Sequence, residues 1–219
     1  KAQQGRFEDI APCIGCGQGC IGRKAGAPMT CLVNPAVGRE TETTIGPASR
    51  KKKVMVVGGG PGGLEAARVA ALRGHDVHLY EKAEKVGGQF NLGAIAPRKH
   101  ELGKLIHYQA LQVAKAGGTI HLDTEVTPEL VAEFAPDAVI MATGGEPVRP
   151  PIPGISGKNV YLAHDILAGR VMQPCGNTIV IGGGLVGCEV AECLANLGDN
   201  PMIAQLAAVI ANPAATAAA

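Results

Sequence analysis

The chain has 219 residues, enough for one large domain or two small ones, and its 20 basic and 19 acidic residues give a formal net charge of +1. That balance excludes both the basic field of a nucleic-acid-binding protein and an acidic tail. No apolar run is long enough to span a bilayer, and the first residues lack the regions of a signal peptide. We therefore expect a cytoplasmic protein without a membrane or nucleic-acid partner.

Four of the seven cysteines form a spaced cluster near the amino end, which favours metal or redox use over disulfides. Cys13, Cys16, Cys20 and Cys31 follow the pattern C-x2-C-x3-C-x10-C, and the glycines between the first three permit the left-handed turns that wrapping requires. A 4Fe–4S cube takes four thiolates and suits this spacing. Structural zinc, which usually has two separated C-x2-C knuckles, and a redox dithiol at Cys13 and Cys16 are the alternatives.

A glycine-rich turn follows a polar segment, residues 34–53, that we interpret as a linker. Residues 54–57 form a β-branched apolar run that predicts a buried parallel strand. The chain then passes through Gly58, Gly60 and Gly63, which fit G-x-G-x-x-G, into an Ala-rich predicted helix. This pattern is typical of a pyrophosphate site on the N–H groups at the start of a helix.

A carboxylate ends the next predicted strand, residues 75–81. Glu81 lies about 20 residues beyond the glycines, where an acid accepts hydrogen bonds from a ribose 2′-OH. Strand, glycine turn, helix, strand and acid occur in the order of a dinucleotide site, which favours that interpretation over a purely structural turn. The following loop, residues 86–91, carries Gln89, which could hydrogen-bond a flat ligand; a plain surface loop is the alternative.

The middle of the chain continues the α/β alternation. Residues 100–116 have helical periodicity, residues 119–122 predict a strand, and Thr127 predicts the cap of a short helix. Residues 137–145 predict another buried strand that enters a small-residue turn, where a doubly wound sheet presents its strand ends to a ligand. A proline-rich stretch at residues 147–153 suits a connection between domains.

A second copy of the fingerprint then appears. Residues 178–181 predict a strand that turns through Gly182, Gly184 and Gly187 into a helix ending at Gly198. Two fingerprints predict two dinucleotides, FAD on the first and a nicotinamide nucleotide on the second. No carboxylate stands near residues 204–205, so the choice between NAD and NADP is not predicted. The remaining thiols are interpreted as ordinary small side chains: Cys175, Cys188 and Cys193.

With these motifs in view, the sequence resembles the iron–sulfur flavoenzymes typified by 2,4-dienoyl-CoA reductase, with enoate reductases and trimethylamine dehydrogenase as relatives. The three-residue gap between Cys16 and Cys20 is similar to that of the reductases. The segments that carry the resemblance are Cys-Ile-Gly-Cys-Gly-Gln-Gly-Cys (13–20), Cys-Leu-Val-Asn-Pro (31–35), Gly-Arg-Glu (38–40), Val-Gly-Gly-Gly-Pro-Gly-Gly-Leu-Glu (57–65), Gly-Gly-Gln-Phe-Asn (87–91), Ala-Thr-Gly (142–144) and the second glycine-rich turn.

The resemblance implies a set of cofactor ligands. The four clustered cysteines would hold a 4Fe–4S cluster, and Gly182, Gly184 and Gly187 would hold the nicotinamide nucleotide. Pro97-Arg98-Lys99 departs from the family's usual Pro-Gly-Lys. The residues implied to hold FAD are Gly60, Gly62, Glu81, Gln89, Lys99, Val126, Ala142, Thr143 and Gly144.

In that family an N-terminal (β/α)8 barrel, similar to old yellow enzyme, carries FMN and the substrate site. The barrel is absent here and the tail decays into alanines, so we interpret the sequence as a fragment. We expect an α/β fold of Rossmann-like domains: a cluster segment at 1–50, an FAD domain at 51–150 and a partial NAD(P) domain at 151–219.

The resemblance implies an NAD(P)H-dependent reductase of an enoyl substrate bound in the barrel, with electrons passing through FAD and the cluster to FMN. No side chain of this chain is a convincing catalytic acid or base. The alternatives are an amine dehydrogenase of the trimethylamine dehydrogenase type and a separate electron-transfer subunit.

Overall fold

The computed structural model describes residues 1–23, 25–171 and 177–195. The chain divides into two compact units: Lys1–Asn91 with Glu101–Gly144, and Leu92–His100 with the residues from Gly145 onward. They are called the first and second units below. In the described part of the chain, no helix is both long and apolar enough to cross a membrane.

The first unit is built on a four-stranded parallel sheet. Its strands are β1 (Lys53–Val57), β2 (Asp76–Tyr80), β3 (Thr119–His121) and β4 (Ala138–Met141), in the spatial order β3-β2-β1-β4. The order of the sheet reverses between β1 and β4, which is the switch point where doubly wound sheets bind their ligands. The predicted α/β class is therefore confirmed.

Six α-helices and two 3₁₀ turns are described. The 3₁₀ turns span Ala2–Gln4 and Phe7–Asp9. The Thr127 side chain accepts a hydrogen bond from the N–H of Leu130 at 3.3 Å, so the predicted cap is confirmed. The helices are α1 (Pro61–Leu72), α2 (Gln89–Gly93), α3 (Glu101–Lys115), α4 (Pro128–Phe134), α5 (Ala163–Leu167) and α6 (Leu185–Ala195).

One face of the sheet forms the core because the strands alternate. Val56 of β1 and Leu79 of β2 are fully buried in one cluster with Leu64 of α1 and Val113 of α3. Truncating a side chain of this kind to alanine costs about 2–5 kcal/mol. On the opposite face, the rings of His78 and Tyr80 of β2 pack against Phe134 of α4. This packing fixes the carboxyl ends of β1, β2 and β4 together.

The predicted strand at residues 178–181 is wrong in the described structure. These residues form no strand, and Ile179 and Ile181 are 89% and 70% exposed. A parallel strand is held by a ladder of hydrogen bonds to a neighbouring strand, and the four described strands form their sheet without residues 178–181. The predicted loop at 86–91 also differs, because its last residues begin α2. Cys175, the predicted helix end at Gly198 and the alanine-rich tail lie outside the described residues.

Candidate functional site

The first glycine-rich turn lies between the end of β1, the start of α1 and the turn that follows β4. Gly58 has a φ of +105°, and a Cβ there would stand 2.4 Å from the carbonyl oxygen of Ala142. A Cβ on Gly63 would stand 1.9 Å from the carbonyl oxygen of Gly58. The N–H of Ala142 donates to the carbonyl of Val57 at 2.8 Å, so the turn after β1 is packed directly against the turn after β4. No side chain fits at either glycine.

The start of α1 has free space next to Gly60 and Gly62. A Cβ on Gly60 or Gly62 would meet no atom within 4 Å. Gly60 is the N-cap of α1, and no side chain caps this end of the 12-residue helix. The first-turn N–H groups of a helix have no intrahelical partner and carry the positive end of its dipole. The arrangement suits an anionic group such as a pyrophosphate.

Glu81 follows β2 and is only 9% exposed. Its Oε2 accepts a hydrogen bond from the N–H of Gly59 at 2.7 Å, and its Oε1 accepts one from the N–H of Ala83 at 2.9 Å. Its own N–H donates to the carbonyl of His121 at 2.9 Å, and its carbonyl accepts from the N–H of Thr124. The carboxylate is therefore fixed between β1 and β2, and each oxygen keeps acceptor capacity for a ligand hydroxyl.

A cleft of about 170 Å³ opens beside Glu81. It lies within the first unit and ends at the carboxyl edges of β1, β2 and β4. Binding sites for whole drug-sized ligands measure about 300–1,000 Å³, so this cleft is large enough for only part of a dinucleotide. Its lining includes Gly58, Tyr80, Glu81, Lys82, Val126 and Thr143. The structure thus brings four predicted site residues together: Gly58, Glu81, Val126 and Thr143.

Sequence reasoning missed the wall behind this cleft. The ring of Tyr80 stacks on His121, with centroids 4.5 Å apart, and His121 forms a 2.9 Å hydrogen bond with the ring of His78. Burial raises the pKa of Tyr80, and burial together with His78 lowers the pKa of His121. The signal was the alternation of β2, which places His78 and Tyr80 on the face opposite the core.

The loop after Glu81 folds back onto the glycine-rich turn. The N–H of Gly87 donates to the carbonyl of Gly59 at 2.8 Å, and a Cβ on Gly88 would stand 3.3 Å from the Cα of Gly60. Asn91 donates to the carbonyl of Val86 at 3.0 Å and closes the loop. Gln89 is the first residue of α2, directly after these contacts. The loop is therefore part of the same site region and is not a detached surface segment.

Lys99 lies in the second unit, unlike the other residues expected to hold FAD. Its ammonium pairs with Glu189 of α6, and its neighbour Arg98 pairs with Glu192 of the same helix. Arg98 has a φ of +61°, the left-handed region that a glycine occupies without strain. The family's usual glycine at this position therefore has a conformational reason. Gly144, with a φ of +76°, is the last residue of the first unit.

The second glycine-rich turn repeats the first. Gly182 has a φ of +111°, and a Cβ on Gly187 would stand 1.9 Å from the carbonyl of Gly182, as at the first turn. The N–H of Cys188 donates to the carbonyl of Gly184 at 3.0 Å, and nothing lies within 4 Å of a Cβ on Gly184. The turn leads into the 11-residue helix α6. The same type of glycine-rich turn therefore precedes both α1 and α6.

The four clustered cysteines, at positions 13, 16, 20 and 31, do not all converge on one point. Cys13, Cys16 and Cys20 are exposed and Cys31 is half-buried. Across the described ranges, no three His, Cys, Asp or Glu side chains converge on a position that could hold a metal. The ligand set therefore stays a prediction.

Three features of the segment fit an iron–sulfur cluster. The N–H of Thr30 donates to the carbonyl of Gly19 at 3.0 Å, and Gly19 has no room for a side chain against Thr30, so the residues just before Cys20 and Cys31 are in contact. The N–H groups of Gly15 and Val33 point at the sulfurs of Cys13 and Cys31, each at 3.4 Å. Gly15 and Gly17 have positive φ. Thiolate donors with N–H···S contacts are the ligand chemistry of such clusters.

Comparison with known proteins identifies the family. Residues 52–218 match the model of the pyridine nucleotide-disulphide oxidoreductases. The chain is 42% identical over 217 residues to an NADH oxidase from Thermoanaerobacter brockii, covering 96% of this chain and 33% of that protein. It is 31% identical over 201 residues to a dimethylamine dehydrogenase from Hyphomicrobium, covering 78% of this chain and 27% of the relative.

A solved structure of 2-naphthoyl-CoA reductase in complex with 2-naphthoyl-CoA superposes with a TM-score of 0.85 at 44% identity. The match covers 90% of this chain and 30% of the reductase. The chain thus spans about a third of the length of its relatives. The family model implies binding of FAD and NAD(P)H. The chain belongs to the pyridine nucleotide-disulphide oxidoreductase family, among the flavoenzymes related to 2-naphthoyl-CoA reductase and dimethylamine dehydrogenase.

Proposed function

We propose that this chain is the electron-input portion of an NAD(P)H-dependent iron–sulfur flavoenzyme that reduces an activated carbon–carbon double bond. The observation that carries the proposal is that the glycine-rich turn occurs twice with the same close packing. A Cβ added to Gly63 or to Gly187 would stand 1.9 Å from the carbonyl oxygen of the first glycine of its turn. Two helix starts of equal geometry in one chain give two nucleotides a place to bind. Such a pair is what hydride transfer from a nicotinamide to a flavin requires.

The first site is assigned to FAD because it has a cleft and an acid of its own. The first-turn N–H groups of α1 would bind the pyrophosphate, and Glu81 would accept the hydroxyls of the adenosine ribose. Gly59 and Ala83 hold the carboxylate in place, so that it is oriented before the ligand arrives. The remaining residues proposed to contact FAD are Gly62, Gln89, Lys99, Val126, Ala142, Thr143 and Gly144.

The second turn, at Gly182, Gly184 and Gly187, is assigned to NAD(P)H. Cys13, Cys16, Cys20 and Cys31 would ligate a 4Fe–4S cluster. When bound, these groups supply hydride donation, conversion of an electron pair into single electrons, and relay toward an FMN that we place in a barrel domain of the whole protein. The protein side chains of this portion bind, orient and exclude water; none acts as acid or base on a substrate.

The 2-naphthoyl-CoA reductase relative favours a conjugated acyl-CoA or a similar enoyl compound as substrate. The dimethylamine dehydrogenase relative favours a second candidate, in which the same modules carry electrons away from an amine. A cytoplasmic location and a substrate site in the barrel are part of the first proposal. A separate electron-transfer subunit is the third arrangement, and a full-length mass well above 22.3 kDa would contradict it.

The test is anaerobic purification of the full-length protein, with iron, sulfide, FAD and FMN quantified. We expect about four irons and one of each flavin per chain. Rapid bleaching by NADH or NADPH supports the reductase, whereas bleaching only by an amine supports the dehydrogenase. Cys20→Ala should lower the iron content, and the matched control Cys188→Ala, an exposed thiol on α6, should not. A colourless full-length protein without flavin or iron would refute the proposal.

A further inference from the structure

Asp9 is a buried carboxylate in a segment that is otherwise almost entirely exposed. Only 8% of its surface is accessible, and it lies at the end of the 3₁₀ turn Phe7–Asp9. Its Oδ1 accepts hydrogen bonds from Lys115 Nζ at 2.6 Å and Gln112 Nε2 at 3.2 Å, and its Oδ2 accepts one from Arg6 at 2.8 Å. Two of these three donors belong to α3. We call this set of four residues the Asp9 clip.

The clip joins the part of the chain just before the cysteines to the flavin-type fold. Lys115 and Gln112 lie more than 100 residues beyond Asp9, in the last turns of α3. The buried face of α3 packs on α1, the helix whose start forms the proposed pyrophosphate site. A continuous series of contacts therefore runs from Asp9 through α3 and α1 to the first glycine-rich turn.

The clip also limits where the first cysteine can be. Cys13 follows Asp9 by four residues, and four extended residues reach at most about 14 Å. Ile10 is already extended, and the proline at position 12 restricts Ala11 to extended backbone. Cys13 is therefore held within this reach of α3 for as long as the clip is closed.

Glu8 provides the internal comparison. It pairs with the same lysine, Lys115, at 2.9 Å, but its side chain is 46% exposed, whereas that of Asp9 is 11% exposed. An exposed pair contributes little to stability. Replacing Asp9 removes the one buried acceptor that both α3 donors share, although Lys115 keeps its contact with Glu8 and Gln112 keeps the carbonyl of Glu8 at 3.4 Å. Loss of a buried hydrogen-bond acceptor costs more than loss of an exposed ion pair. We therefore expect the attachment of this segment to α3 to depend more on the buried Asp9 than on the exposed Glu8.

We propose that Asp9 is a positioning residue for electron transfer: through Lys115 and Gln112 it fastens the cysteine segment to α3 and so fixes the distance between cluster and flavin. The inference rests on the proposed function for its electron path. The hydride of NAD(P)H carries two electrons to FAD; these leave singly to the cluster, and the flavin releases the hydride's proton to solvent. The rate of the single-electron step falls steeply with distance, whereas hydride transfer does not involve the clip.

The test compares Asp9→Asn with Glu8→Gln in the full-length protein by hydrogen exchange. Both variants remove one charge next to Lys115 and keep the side-chain shape. Within residues 10–23, the N–H groups of Ile10 and Gly22 donate to backbone carbonyls, and we expect their exchange to become about tenfold faster in Asp9→Asn only, with exchange in β1 and β2 unchanged. Asp9→Asn should also slow reduction of the cluster while the rate of flavin reduction by NAD(P)H stays the same.

Lys115→Gln breaks the clip from the α3 side and should reproduce the exchange result; it decides the question if Asp9→Asn does not fold. Exchange at the wild-type rate in residues 10–23 of the folded variant would overturn the proposal, as would an equal effect of Glu8→Gln. Absence of iron from the full-length protein would refute the proposed function instead. The exchange measurement does not depend on iron and would still show whether the clip exists.

Discussion

Gly63→Ala is the substitution for which the structure gives the clearest expectation. The new methyl group would stand 1.9 Å from the carbonyl oxygen of Gly58, and side-chain carbons essentially never approach another atom closer than 3.0 Å. Because the obstructing atom is backbone, α1 must move away from β1 by about an ångström. Leu64, which is fully buried in the adjoining core, must move with it. Overpacking of this kind costs about 3 kcal/mol.

The assay is thermal unfolding of the full-length flavoprotein, followed by release of flavin fluorescence. A loss of 3 kcal/mol corresponds to a Tm lower by about 6–12 °C for a domain of this size. Displacing the first-turn N–H groups should also weaken FAD binding by about tenfold or more, which is 1.4 kcal/mol.

The matched control is Gly103→Ala, because a Cβ on Gly103 in α3 meets nothing within 4 Å. It should raise stability by about 0.5–1 kcal/mol, as glycine is unfavourable inside a helix. Gly187→Ala, with the same 1.9 Å conflict in the second turn, should impair NAD(P)H binding and leave FAD bound. If Gly63→Ala melts and binds FAD like Gly103→Ala, the packing argument for this turn is refuted.

Three further substitutions test other parts of the site. Glu81→Gln should weaken FAD binding by about 10- to 100-fold, because the single oxygen of an amide cannot accept from the N–H groups of both Gly59 and Ala83. Equilibrium titration with FAD measures the loss, with the exposed Glu84→Gln as the control. In chemical denaturation, the Arg98→Gly protein should be more stable than the Glu192→Gln protein by about 1 kcal/mol. Both variants lose the same exposed ion pair, but only Arg98→Gly relieves the strain of a positive φ. Equal stability of the two variants would exclude strain at Arg98. The pKa of His121 is below its ordinary value, so its neutral form stabilises the fold above pH 6.5 and that contribution is lost as the pH falls below 6.5. His121→Gln should therefore show a smaller fall in Tm from pH 7 to 5 than the wild type, whereas the exposed His107→Gln should keep the wild-type profile.

The features predicted from sequence are those encoded by neighbouring residues. The glycine-rich turns, the strand ending in Glu81 and the capped helix at Thr127 all depend on residues within one turn or strand. The fold class followed, because strand, turn, helix and strand in this order allow few arrangements. The position of Glu81 after β2 was predictable in the same way.

The features that sequence did not predict depend on long-range contacts. Nothing local indicates that Asp9 is held by α3, that Gly59 donates to Glu81, or that the Arg98 and Lys99 pair belongs to α6. The prediction of a strand at residues 178–181 was wrong for the same reason, because an apolar run of this kind forms a strand only when a neighbouring strand pairs with it.

The two turns separate what is local in a dinucleotide site from what is not. In both turns a Cβ added to the last glycine would stand 1.9 Å from the carbonyl oxygen of the first, although the residues before the second turn pair with none of the described strands. The shape of the glycine-rich turn is thus specified by its own glycines and helix start. The carboxylate site is different, because Glu81 is fixed by the β1 turn through Gly59 and by β3 through the carbonyl of His121. Changes in β3 should therefore alter recognition of the ribose while the pyrophosphate turn stays intact.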